Sequence, residues 1–110
     1  MARFVRGDVV VVPFPFSDLT SAKRRPALVI SAPSGDDLIL CQITSKIVKD
    51  EYAILILDDD FQEGSLKQPS NARPNRIFTA DARIVLYKAG HLKLNKLAEI
   101  TDKIIEILQG

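Results

Sequence analysis

One cysteine and one histidine in 110 residues exclude a good deal of chemistry at once. Cys41 alone closes no internal disulfide, and its place in Leu38-Ile39-Leu40-Cys41 predicts a buried small hydrophobe, as suits a reducing cytosol. With His91 the only other soft ligand, no His/Cys metal cluster can form, and no metal or other cofactor is expected. His91 follows Gly90 in a predicted turn, far in sequence from every basic cluster, and reads as structural. A nucleophile elbow, a phosphate-binding glycine loop and a zinc motif are all missing. No apolar run is long enough for a signal peptide or a membrane span, so the expected location is cytoplasmic, without a membrane partner. A net charge of only +1 excludes a globally basic nucleic-acid binder, and any RNA or DNA site must be a local patch. Aromatic residues are 6% of the chain, which leaves Phe14, Phe16 and Phe61 as candidates for stacking on bases, against core or dimer packing as the alternative.

The residues present describe a single domain over 1–110, with 46% hydrophobic and 26% charged residues, enough to bury a core without disulfide or metal support. Val9 to Val12 is a short buried strand closed by Pro13, and Pro13 to Ser21 is a loop rich in turn formers. Pro26 opens a second strand through Ser31, Pro33-Ser34-Gly35-Asp36 turns the chain, and Asp37 to Ile43 completes an antiparallel hairpin. Ala53 to Leu57 is a further β run, stopped by Asp58-Asp59-Asp60. Phe61 to Asn75 has no period and reads as a long functional loop. Ile77 to Ala80 and Ile84 to Tyr87 are two short strands, and Ala89-Gly90-His91 is a turn. Leu97, Ile100, Ile104 and Leu108 fall at helical spacing, predicting an amphipathic C-terminal helix capped by Asn95 and ended by Gly110. The fold class is therefore mainly β, of α+β type: a small, strongly bent sheet or partly open barrel with one helix against it.

Three polar clusters sit in loops or at strand ends: Lys23-Arg24-Arg25, Thr44-Ser45-Lys46, and the run Ser70-Asn71-Ala72-Arg73-Pro74-Asn75-Arg76. The hairpin brings Arg25, at the start of one strand, to the same sheet edge as Thr44, at the end of the next. An arginine fork beside a hydroxyl suits a phosphodiester and the charge that grows on it as a phosphorane forms. The plainer reading of Lys23-Arg24-Arg25 is a solvated basic surface.

Gly7-Asp8-Val9-Val10, Arg24-Arg25-Pro26-Ala27-Leu28-Val29-Ile30, Gln42-Ile43-Thr44-Ser45, Gly64-Ser65-Leu66-Lys67-Gln68-Pro69-Ser70 and Ile77-Phe78-Thr79-Ala80-Asp81 occur in an order and spacing that resemble the MazF/PemK toxins of type II toxin–antitoxin systems, over nearly the whole chain. The resemblance implies an SH3-like β-barrel, a homodimer, and metal-independent endoribonuclease activity on single-stranded RNA, usually mRNA, with the RNA's own 2′-hydroxyl attacking. It also implies a cognate antitoxin whose acidic, disordered tail suits basic loops. By position, Arg25 and Thr44 correspond to the family's catalytic pair. Lys23, Arg24, Ser45, Lys46, Asn71, Arg73 and Asn75 would bind substrate. Arg73 lies where some PemK-type members use an arginine, and Asn75 where they carry an acid. Asparagine takes up no proton in this chemistry, so the base is not identified by the resemblance. Two other readings follow from the same likeness: an inactive member that binds antitoxin or nucleic acid, and a CcdB-like gyrase poison.

Overall fold

The structure, a computed structural model, describes residues 4–14 and 23–110. It places one seven-stranded sheet in the order β4-β6-β3-β2-β1-β7-β5, curled into a half-barrel with a C-terminal helix. The strands are β1 (Asp8–Phe14), β2 (Lys23–Ser31), β3 (Asp37–Thr44), β4 (Ile54–Ile56), β5 (Phe61–Gly64), β6 (Ser70–Asp81) and β7 (Tyr87–Leu92), followed by α1 (Leu94–Gln109). All their pairings are antiparallel. The mainly β, barrel-like fold with one amphipathic helix is the one expected.

The unbroken valine run of β1 follows from its central position, because apolar groups cover it on both faces. Val9 packs with Leu28, Ile43, Leu92 and the α1 residues Leu97, Ile100 and Ile104. Val10 and Val12 pack on the opposite face with Ala27, Val29, Leu38 and Leu40, under Phe4, Phe78 and Val85. Cys41 is buried as expected, its thiol donating to the Arg73 carbonyl at 3.2 Å, and burial pushes its pKa up to about 12.

Several boundaries differ from the sequence reading, for identifiable reasons. The strands run through Pro13 and Pro26 instead of stopping or starting there. Past Val11 the β1 ladder to β7 has ended, and before Ala27 the β2 ladder to β3 has not begun, so each proline lies where one side of its strand has no partner to lose. Of the segment read as a loop from Phe61 to Asn75, only 65–69 lies outside strands. The start of β6 buries Ser70, Ala72 and Pro74, small or polar residues that leave no hydrophobic alternation to detect. Ile84 is not the start of a strand: Ala82–Ile84 forms a 3-10 turn, with the Asp81 side chain accepting from the Arg83 amide. The supposed turn at Ala89-Gly90-His91 is the body of β7, where Gly90 allows close approach, since a Cβ there would sit 2.5 Å from the Glu63 carbonyl. The helix begins after Lys93, which sits at the N-cap position without a side-chain cap bond, so Asn95 lies inside it, and it closes at Gly110 with φ 78°. Of the aromatic candidates, Phe61 is 8% exposed and belongs to the core, which removes it as a stacking platform. Phe16, the Phe14 side chain and most of the Pro13–Ser21 loop lie outside the described residues.

Candidate nucleic-acid interface

Register, more than sequence distance, assembles the polar residues. Ala27 pairs with Gln42, Gln42 with Arg73, and Thr44 with Asn71. Continuing the β2–β3 ladder by two residues carries Arg25, itself paired with Val12, to the level of Thr44. Side chains alternate along a strand, so Arg25 shares a face with Ala27, and Thr44 and Gln42 share a face with Leu40. Arg25, Thr44 and Asn71 thus form one row across β2, β3 and β6. Gln42 and Arg73 stand one row above. The helix packs on the other face. Arg25 lies within β2, not at its mouth, and is half-buried.

Thr44 is 7% exposed and its Oγ1 accepts from the Lys46 amide at 3.2 Å. This bond uses an oxygen lone pair and leaves the hydroxyl proton available to a substrate oxygen. The Asn71 amide reaches the Lys46 carbonyl at 3.4 Å. The chain after β3 is therefore tied back onto the row.

Two concavities flank it along β3. At the end marked by Ser45, a cavity of about 220 Å³ is lined by Arg24, Arg25, Ser45, Gln68, Ser70 and Tyr87 among others. At the Gln42 end, a wider groove of about 500 Å³ is lined by Gln42, Asn75, Arg76, Ile77 and Phe78. The second groove lies where β6 register slips from Cys41↔Ile77 to Gln42↔Arg73, leaving residues 74–76 as an unpaired bulge in which Pro74 is buried and Asn75 and Arg76 are exposed. A further cleft of about 440 Å³, between Glu51, Tyr52 and the end of α1, offers an anion little, because its Lys103 is paired with Glu106 at 3.1 Å.

The structure divides the predicted residues accordingly. Arg24, Arg25 and Ser45 share the smaller cavity, with Thr44 buried beside it in β3. Asn75 lines the wider groove. Lys23, Lys46 and Arg24 are exposed around the site. Arg73 is tied through Nη2 to Asp50 at 3.2 Å, a partner that sequence reasoning did not single out. Gln42, Gln68 and Tyr87 were also overlooked. Gln42 and Gln68 do stand within the motifs that carry the family resemblance, two residues before Thr44 and two before Ser70, whereas Tyr87 has no sequence signal. His91 stays outside the site, its Nδ1 2.7 Å from the buried Asp8 carboxylate, as its structural reading requires. Among the described residues, no three His, Cys, Asp or Glu side chains gather as a metal site.

An arginine fork, a hydroxyl and an amide are thus aligned on one face of a curled half-barrel sheet, a donor set chemically suited to an anion. Residues 5–108 match the family described as PemK-like, MazF-like toxin of type II toxin–antitoxin system, and the chain belongs to that family. No curated protein sequence aligns significantly with it. Among solved structures it is similar to a MazE-MazF crystal structure from Deinococcus radiodurans, at TM-score 0.79 and 18% identity over 99% of this chain and 98% of that one. It is similar to an endoribonuclease in complex with its cognate antitoxin from Mycobacterial species, at TM-score 0.74 and 14% identity over 99% and 96%. It is also similar to the Mycobacterium tuberculosis toxin MazF-mt6, at TM-score 0.72 and 16% identity over 93% and 96%. At these identities the likeness establishes the shared fold.

Proposed function

We propose that this toxin is an endoribonuclease that cuts single-stranded RNA, in the cell mRNA, using the RNA's own 2′-hydroxyl as nucleophile. The observation that carries this reading is the row of Arg25, Thr44 and Asn71, with Arg73 one step above, on the sheet face away from the helix. Attack of the 2′-oxygen on the adjacent phosphorus breaks the bond to the 5′-oxygen. It leaves a 2′,3′-cyclic phosphate and a 5′-hydroxyl. Negative charge accumulates on the non-bridging oxygens as the phosphorane forms. There Arg25 neutralises it with a two-pronged contact and Thr44 donates its hydroxyl proton in a hydrogen bond. The concavities on either side suit the flanking nucleotides, since single strands are read by splayed bases in pockets. The named activity of the Mycobacterial neighbour supports the reading.

The whole chain acts as one toxin domain in the cytoplasm; no helix among the described residues is long and apolar enough to cross a membrane. Two copies form a homodimer, for which Ile47, 94% exposed, and the exposed Leu55 beside Asn71 on β4 supply apolar surface. Sedimentation showing only monomer at micromolar concentration contradicts the dimer. A cognate antitoxin with an acidic tail covers the basic loops and competes with RNA for them.

The test incubates wild type and Arg25→Ala with a long RNA in EDTA and maps the ends. Wild type should cut at short motifs, Arg25→Ala about 100- to 1,000-fold more slowly, and Arg25→Lys only in part restored, because a point charge lacks the fork. Equal rates for Arg25→Ala and wild type remove Arg25 from the mechanism. Absence of cleavage with retained binding of an acidic antitoxin replaces the nuclease with a binding module.

A further inference from the structure

The Arg73–Asp50 contact belongs to a larger arrangement. Asp50 opens a tight turn in which its carbonyl accepts from the Ala53 amide at 3.2 Å and its Oδ1 accepts from the Tyr52 amide at 2.7 Å. The first bond closes the turn, and the second fixes the carboxylate on the backbone and leaves Oδ2 for the Arg73 guanidinium at 3.2 Å. Both side chains of the ion pair are mostly covered, at 20% exposure for Arg73 and 12% for Asp50.

We propose that Asp50 is a positioning residue for the RNA site, clamping Arg73 so that its guanidinium is held in place for the substrate. This rests on the nuclease reading above. Arg73 Nε is itself buried and has no hydrogen-bond partner. Such a buried orphan donor is the exception in folded proteins, and it marks Arg73 as a group held in place for a ligand of its guanidinium. Asp50 is not the base. Its oxygens are committed to donors, and the Tyr52 amide, with Arg73 adding, holds its carboxyl below the usual range despite burial. The carboxylate that β6 lacks at Asn75 is thus supplied from the loop before β4, but as a clamp.

Asp50→Asn is the variant of choice, because it keeps the turn-forming Oδ1 and removes only the charge. Single-turnover cleavage of an RNA oligonucleotide should slow about 10- to 100-fold, the usual effect of losing a group that supports a site's own residues. Affinity for an uncleavable 2′-deoxy strand should change much less. The double variant Asp50→Asn with Arg73→Ala should be no slower than Arg73→Ala alone. Multiplying effects overturn the proposal, as does loss in Asp50→Asn of the rising limb of the pH–rate profile, which would make Asp50 a base. A readout independent of cleavage is the ¹⁵N resonance of Arg73 Nε, titrated with inorganic phosphate. The resonance should shift with phosphate in wild type and much less in Asp50→Asn. Identical behaviour in the two overturns the clamp, whereas a phosphate response confined to wild type in a protein that cuts no RNA leaves the clamp standing and sinks only the nuclease reading.

Discussion

The Thr44 hydroxyl and the Lys46 amide are joined at 3.2 Å, so the side chain central to the proposed chemistry is held by the backbone that leaves its own strand. Its orientation is set before substrate arrives, which is what makes one donor effective against developing charge. Thr44→Val, close in shape but without the hydroxyl, should keep the fold and lower single-turnover cleavage about 100- to 1,000-fold. Thr44→Ser should retain most activity. A Val variant as fast as wild type removes the hydroxyl from the mechanism.

Asp8 is 1% exposed and gathers three donors: the Val5 amide on Oδ2 at 2.9 Å, with His91 Nδ1 at 2.7 Å and Lys88 Nζ at 3.5 Å on Oδ1. Gly7, at φ 102°, leads into this knot, where a Cβ would meet His91 Cε1 at 2.8 Å. Asp8→Ala removes the shared acceptor of the Val5 amide, His91 and Lys88 and should cost about 3 kcal/mol in urea unfolding, near the low end for a broken buried pair because Lys88 is partly solvated and keeps Glu63. A loss under about 1 kcal/mol means that water replaces the carboxylate without difficulty.

Asp81 tests the acid side of the pH profile. The Arg83 side chain, and then its amide, hold this carboxyl at about 2, below its ordinary 3.8. A carboxylate depressed on folding stabilises the fold above its unfolded pKa and loses that contribution as pH falls through the folded value. Asp81→Asn keeps an oxygen for the Arg83 amide but loses the charge. Its Tm should be slightly below wild type at neutral pH, since the pair is largely solvated, and the gap should close by pH about 2. A gap that persists there points to packing instead of charge.

The core strands and α1 were legible because their residues are apolar with recognisable period, and the hairpin of β2 and β3 sufficed to bring Arg25 and Thr44 to one edge. What escaped depends on pairing partners distant in sequence. Ser70 to Asn75 reads as a loop until β3 and β4 provide its ladders, and Gly90 reads as a turn until β5 packs against it. Asp50 is one acid among fourteen Asp and Glu residues, and only the fold sets it against Arg73, 23 positions away.

The central claim is transesterification by the RNA's own 2′-hydroxyl. Its most direct test uses an RNA strand carrying a single 2′-deoxy substitution at the mapped cut site, incubated with wild type in EDTA beside the unmodified strand, with product ends analysed. The account predicts no cleavage of the deoxy strand and a 2′,3′-cyclic phosphate end on the unmodified one; equal cleavage of the two strands contradicts it.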